Sequence, residues 1–280
     1  MSSVAILGAG SLGAAVAHKI AERGRFHEVR LIDAAGDVAA GKALDIQQSA
    51  PITPFETRVR ADRDPLAAAG ADVIVIADAA AGGEWESVNG AELVDTLVRA
   101  GAAAPFVFAG PSQLALMEAV ARTGRVKQDR LVATAPSAMV GAASALVSLE
   151  WNGSASEVSL SVAGRPPRLV IGWSSATAGG SLIESRVPAH RLLAISDTLA
   201  RLWPPGPQAI AAATAPLVEA LVFGSRRLHQ AAAMLDGEFG ARAAAGMMPL
   251  ELGHGRVKRR VMPSLSPLEI GAVQTSLSNF

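Results

Sequence analysis

In the first half of the chain, apolar residues come in short unbroken runs, and between the runs they recur every three or four positions. The runs lie at 4–7, 73–77, 105–109 and 131–134, and a further strand at 29–32 is interrupted by Arg30 alone. Val73, Ile74, Val75, Ile76 and Ala77 show no polar alternation, as a parallel strand covered on both faces requires. Helices are expected over 14–21, 37–47, 88–100 and 112–122, with a short alternating strand at 57–61 and a brief helix at 65–69. Strand and helix alternate, so the strands pair in parallel through right-handed crossovers. The fold class that follows is α/β, with a doubly wound parallel sheet.

Near Ala138 the pattern changes. A helix rich in small residues over 138–149 leads into two strand-like runs, 158–162 with alternating serines and the apolar 169–173. These flank Gly164, Arg165, Pro166, Pro167 and Arg168 and read as an antiparallel pair. Helices follow over 189–202 and 208–223, then strands over 230–235 and 247–252. Ser266, Pro267, Leu268 and Glu269 form a helix-start signature, with a capping serine, proline at the first helical position and a glutamate placed to reach back. The expected organisation is a first domain at 1–137 and an α+β domain at 138–280, sharing a cleft.

Composition narrows the function classes. A chain of 280 residues can bury a large core or build two domains. Half of it is hydrophobic, 18% is charged and the net charge is zero, which argues against a nucleic-acid surface built on clustered cations. Arg256, Lys258, Arg259 and Arg260 alternate with Val257 and Val261, the pattern of a solvated strand face. There is no cysteine, so disulfides, a thiolate nucleophile and thiolate metal sites are excluded. Metal-ligand spacing is also absent. No apolar run has membrane-spanning length and no basic leader precedes the first strand, so the expectation is a cytoplasmic protein without membrane or nucleic-acid partners.

The chemistry is most legible at Val4 to Gly13. A strand runs into Gly8-x-Gly10-x-x-Gly13 and then straight into a helix. In such a turn the first glycine permits the bend, the second lets the backbone approach a pyrophosphate, and the third lets helix and strand pack closely. Free N–H groups at the helix start favour phosphate. A second strand ends in Asp33, placed to accept the ribose hydroxyls of adenosine and to repel a 2′-phosphate. The cofactor expected is NAD(H), on Gly8, Gly10, Ser11, Leu12, Gly13 and Asp33, in a Rossmann-type dinucleotide-binding domain.

With these pieces the chain resembles the NAD-dependent lactate/malate dehydrogenase family over nearly its whole length. Gly41 to Ile46 looks like the malate dehydrogenase helix segment, and Asn89 with Ala91 is similar to the helix start after the mobile loop. Leu235 to Gly240, with Gly246, Pro249 and Gly253, resembles the C-terminal strands, and Leu265, Ser266 and Glu269 resemble the final helix. The resemblance implies a C-terminal substrate domain of the lactate/malate dehydrogenase type, a small anionic substrate or ligand, and a homo-oligomer, a dimer or tetramer, assembled through helices that include 41–46.

It also implies a catalytic set: a histidine that accepts the hydroxyl proton, an aspartate that orients it, and arginines that hold the carboxylate and polarise the carbonyl. None is in place. The family histidine aligns with Pro166, its aspartate with Val140 and its arginine with Ala143. The Asn-Pro pair after the fifth strand becomes Gly110-Pro111, and the arginine-bearing mobile loop shrinks to 78–86. No alignment shift repairs this, because 28–189 holds no histidine, 131–164 and 64–98 no arginine, and 130–196 no aspartate. Loss of a positioned acid–base group alone costs about a hundred- to ten-thousand-fold in rate.

The remaining candidates each carry two readings. Of the five histidines, which include His229 and His254, His18 and His27 read as surface or capping residues, whereas His190, at a helix start in the second half, is an alternative general acid. Arg165 and Arg168 are either cations offered to an anion or members of an exposed turn. Asp78 is a new polar contact or a cap, and Trp85 and Glu86 either close over the nicotinamide or pack. Two functions follow: an NAD-binding oxidoreductase with an unidentified substrate, not an efficient lactate or malate dehydrogenase, or a non-catalytic pseudoenzyme serving as an NAD(H) sensor or oligomer partner.

Overall fold

The computed structural model describes residues 2–278. The first half alternates as expected: β1 (Ser3–Leu7), α1 (Ser11–Glu22), β2 (Glu28–Ile32), α2 (Gly36–Ser49), β3 (Arg58–Asp62), β4 (Val73–Ile76), α3 (Ser87–Arg99), β5 (Phe106–Phe108), α4 (Leu114–Arg122) and β6 (Leu131–Ala133). The second half is α5 (Ala138–Trp151), β7 (Val158–Ser159), β8 (Val162–Arg165), β9 (Arg168–Ile171), β10 (Thr177–Ala178) and β11 (Ser181–Leu182). It continues with α6 (Ala189–Arg201), α7 (Pro207–Phe223), β12 (His229–Asp236), β13 (Arg242–Gly253), β14 (Arg256–Arg260) and α8 (Pro267–Ser278).

β1 to β6 form a parallel sheet in the order β3-β2-β1-β4-β5-β6. Every residue of β4 is fully buried, which explains its unbroken apolar run. The chain leaves β1 toward β2 and β3, then crosses to β4 on the other side, so the switch point lies between β1 and β4. In open α/β sheets a ligand crevice forms there, beyond the carboxyl ends of the strands. The loops at those ends are the glycine turn, Asp33, the segment after β4 and Gly110.

The sheet does not stop at the expected boundary after residue 137. β12 pairs antiparallel with β6, and β13, β8 and β9 extend the same eleven-stranded sheet. One apolar core fills the face covered by α1, α2 and α7, and another the face covered by α3 and α4. A third lies between α5, α6 and the hairpin β8–β9.

The run 158–162 is not one strand. Val158 and Ser159 pair with β10 in a separate three-stranded sheet, and Val162 begins β8 in the main sheet. Gln230 fills the break: its carbonyl accepts the Val162 N–H at 2.6 Å and its amide donates to Leu160 O at 2.7 Å. A side chain 68 residues away satisfies the backbone groups that a continuous strand would have paired. The capping box at α8 forms as expected, with Ser266 N–H donating to Glu269 at 2.7 Å. In β14 only Val257 is buried while Arg256, Lys258 and Arg259 face solvent. Among the described residues no helix is long and apolar enough to cross a membrane.

Candidate functional site: the crevice beyond β1, β4 and β5

The glycine turn is built as its spacing predicts. Gly8 has φ +111°, and a Cβ there would come within 2.3 Å of Asp78 O. A Cβ on Gly13 would sit 2.0 Å from Gly8 O, so this glycine is what lets α1 close against the end of β1. Lys42, from the 41–46 segment of α2, donates to Ala9 O at 2.5 Å and Gly10 O at 3.0 Å. No motif marks this lysine as a residue that pins the turn.

Asp33 lies at the end of β2 and is buried. One carboxylate oxygen, Oδ2, accepts the N–H groups of Ala9 and Ala80, both at 2.8 Å, and Oδ1 accepts that of Ala35 at 2.9 Å. Burial alone would raise its pKa, but these three N–H groups and the Lys42 charge outweigh it and hold the carboxyl below the ordinary range. With three of roughly four acceptor positions engaged, Asp33 keeps one on Oδ1 for an incoming hydroxyl.

The segment after β4 turns back on itself. Asp78 pairs with Glu84, Ala79 N–H donates to Gly83 O and Gly82 N–H to Ala79 O, and Gly82 and Gly83 supply the positive φ angles of the tip. The first residue of this hairpin settles the question left by sequence: Asp78 is a cap of α1. Its carboxylate accepts Gly13 N–H at 2.8 Å, Leu12 N–H at 3.2 Å and the Ser11 hydroxyl at 3.2 Å, while Asp78 O accepts Gly10 N–H at 2.8 Å.

The other leg of the hairpin carries Glu84, which accepts Ser112 N–H at 2.9 Å in the loop after β5. Burial and the nearby Asp78 charge raise its pKa, and the Ser112 bond opposes them only in part. Glu84 lines a cavity of about 650 Å³ together with Trp85, Glu86 and Ser112. Trp85 packs against the core under α3 and α4, and Glu86 is exposed immediately before α3. Where the resemblance implies an asparagine after β5, buried Gln113 instead accepts Gly110 N–H at 3.0 Å and donates to Ala77 O at 3.2 Å. Neither Glu84 nor Gln113 stood out in the sequence, because their partners are backbone groups that no motif marks.

The second wall of the expected cleft is of a different kind. The β8–β9 turn is Pro166-Pro167, with Pro166 buried. Arg165 is not part of an exposed turn as one reading had it. Only 8% exposed, it forms a two-pronged ion pair with Glu118 of α4 and donates to Ala245 O at 3.2 Å. Glu118 in turn accepts Ala245 N–H at 2.8 Å. Arg168 is exposed. Ala143 is fully buried beside Met139 and Val147, and Val140 borders an apolar cavity of about 870 Å³ between α5 and α7.

The histidines lie on scattered elements. His18 faces Glu22 and Ser49, His27 donates its backbone N–H to Ser2 O at the far end of β1, and His254 is in the β13–β14 turn. His229 begins β12, where burial and then the Arg227 charge lower its pKa. His190 is exposed in the first turn of α6. Among the described residues no group of three or more His, Asp or Glu could hold a metal ion.

The NAD(H) implied by the glycine turn meets a divided site. Turn, helix start and Asp33 stand in the expected relation, but Leu12 N–H and Gly13 N–H donate to the Asp78 carboxylate, which fills the space beside Gly10. In this arrangement the phosphate portion does not fit.

Comparison with known proteins adds ancestry to this geometry. Residues 2–87 match the profile of the lactate/malate dehydrogenase NAD-binding domain. A malate dehydrogenase of Thioalkalivibrio sulfidiphilus is 27% identical over 305 residues, which cover 99% of this chain and 97% of that protein. The minor L-lactate dehydrogenase of Enterococcus mundtii, solved in a ligands-bound form, has a TM-score of 0.89 at 19% identity, covering 99% of this chain and 95% of that one. Malate dehydrogenase from Salinibacter ruber has a TM-score of 0.86 at 22% identity, over 98% and 93% of the two chains.

Proposed function

Because the chain belongs to the NAD-dependent lactate/malate dehydrogenase family, we propose that it has kept the family's fold and cofactor ancestry while losing the reaction on lactate and malate. It is a lactate/malate dehydrogenase-like NAD-binding oxidoreductase, and both the domain match and the malate dehydrogenase relatives support NAD(H) as cofactor. The observation that carries the proposal is the state of the second wall. The turn where a proton-accepting histidine is expected offers Pro166, and the one buried cation beside it, Arg165, is engaged with Glu118. Val140 and Ala143 supply neither an orienting carboxylate nor a clamp for a substrate carboxylate.

The substrate then belongs to a different class from a 2-hydroxy acid held by paired arginines. Carbonyl reduction needs a proton donor near neutral pH, and on the crevice wall Glu84 is a carboxyl whose pKa is raised. The second reading, a non-catalytic NAD(H) sensor or oligomer partner, is favoured by the Asp78 contact with the start of α1.

A spectrophotometric panel tests the proposal. NADH oxidation with 2-keto acids and NAD⁺ reduction with 2-hydroxy acids should both stay at the background of a Gly10→Val control. Turnover of lactate or malate above that control overturns the proposal. Turnover of another carbonyl compound that is lost in Glu84→Gln supports the oxidoreductase reading over the sensor reading.

A further inference from the structure

We propose that the Asp78 carboxylate is a built-in ligand of the phosphate seat, so that a dinucleotide binds this chain only by displacing it. The inference rests on the reading of the crevice as a dinucleotide site and adds how access to that site is controlled.

Space is the first argument. Gly10 is the position where a missing side chain lets a pyrophosphate approach the backbone. Here that space is filled: a Cβ on Gly10 would lie 2.2 Å from Asp78 Cγ and 2.3 and 2.5 Å from its two carboxylate oxygens. The volume the glycine keeps clear for a phosphate is the volume the Asp78 carboxylate occupies.

Donors are the second argument. A helix N-terminus binds an anion through free N–H groups and the positive end of its dipole. Of those groups at the start of α1, Leu12 N–H and Gly13 N–H both donate to Asp78, with the Ser11 hydroxyl beside them. A carboxylate on three donors copies the demand of a phosphate oxygen pair. A phosphate brought to the same place meets both occupied donors and a like charge.

The third argument is the way Asp78 is held. Its backbone is fixed by Gly10 N–H, by the strand pairing with Glu84 and by the neighbouring Ala80 N–H on Asp33. Its carboxylate is tied only to groups that a phosphate satisfies equally well. Rotation of one short side chain therefore exposes the seat and leaves the hairpin standing. The apparent affinity for a dinucleotide falls by the fraction of molecules with the seat open.

The contact acts on phosphates and not on adenosine, and the test uses that difference. Calorimetric titration of the full chain with adenosine, ADP, inorganic pyrophosphate and NADH is compared between wild type, Asp78→Ala and Asp78→Asn. Asp78→Ala should bind ADP, pyrophosphate and NADH about 10- to 100-fold more tightly, with adenosine changed by less than about twofold. Asp78→Asn keeps an acceptor for the helix start without the charge; it should lie between the two and serves if the alanine variant does not fold. Wild-type binding of ADP and NADH as tight as in both variants overturns the proposal and leaves the dinucleotide reading intact. Equal gains for adenosine and ADP overturn it as well, because the seat alone was not opened. A gain for pyrophosphate without binding of ADP or NADH supports the role of Asp78 and removes the dinucleotide reading. No binding of pyrophosphate, ADP or NADH by any variant overturns both.

Discussion

On the proposed reading, the two walls of the crevice have each replaced a ligand contact with an internal one, but in opposite ways. On the β1–β4 side the donors survive: the N–H groups of Leu12 and Gly13 point where a phosphate would sit, and a carboxylate of the same chain takes them. On the β8–β9 side the positions aligned with the groups that the resemblance implies hold Pro166, Val140 and Ala143, beside the Arg165–Glu118 pair. The first change can be reversed by moving one side chain. The second cannot, because no rotation of proline, valine or alanine supplies a proton acceptor. On that reading, binding and chemistry have diverged separately in this fold.

The comparison can be broken most forcefully at Asp33, which braces the binding wall. Asp33→Ala strands the N–H groups of Ala9, Ala35 and Ala80, and should cost about 5 kcal/mol in chemical denaturation, near the lower end of three bonds to a charged acceptor at roughly 1.5–3 kcal/mol each. Because the folded pKa of Asp33 is lowered, its contribution is complete above the unfolded carboxylate range and is lost as pH falls through the lowered value. Asp33→Asn should flatten that acid limb of the stability profile.

At the other wall, Arg165→Met leaves Glu118 without its cation and should cost about 3 kcal/mol, the usual scale for breaking a buried pair from one side. The double variant Arg165→Met/Glu118→Leu should recover part of that loss in a double-mutant cycle. Full additivity would mean that the pair does not hold the hairpin to α4.

A smaller effect ties the glycine turn to the hairpin. Gly10→Ala should destabilise by about 1–2 kcal/mol through overpacking against Asp78. In an Asp78→Ala background most of that penalty should vanish, because the three nearest atoms to the new Cβ all belong to Asp78. The smallest effect concerns Glu84. Its raised pKa makes its contribution fully present below the unfolded value and lost as pH rises through the folded one. Glu84→Gln should remove that slope above the ordinary carboxylate range.

The legible parts of the chain were those fixed by local rules. Parallel strands covered on both faces announce themselves as apolar runs, and the glycine turn and the capping box at Ser266 are short-range geometry. The Arg165–Glu118 pair spans 47 residues, the Asp78 contact with Gly13 spans 65, and Gln230 mends a strand break 68 residues away. Each needs the folded chain to bring its partners together, and none has a spacing that a sequence shows. The lack of histidine over 28–189 and of aspartate over 130–196 was readable for the opposite reason: the absence of a residue type from a long interval does not depend on folding.

The separation of binding from chemistry is tested most directly in the variant with its phosphate seat open. Asp78→Ala should be loaded with NADH and followed in single turnover at 340 nm with oxaloacetate and pyruvate. The account predicts tight cofactor binding and no oxidation faster than that of NADH in buffer. Oxidation that follows the 2-keto acid concentration and disappears in Asp78→Ala/Gly10→Val would contradict it, and would mean that the second wall still carries the family's reaction.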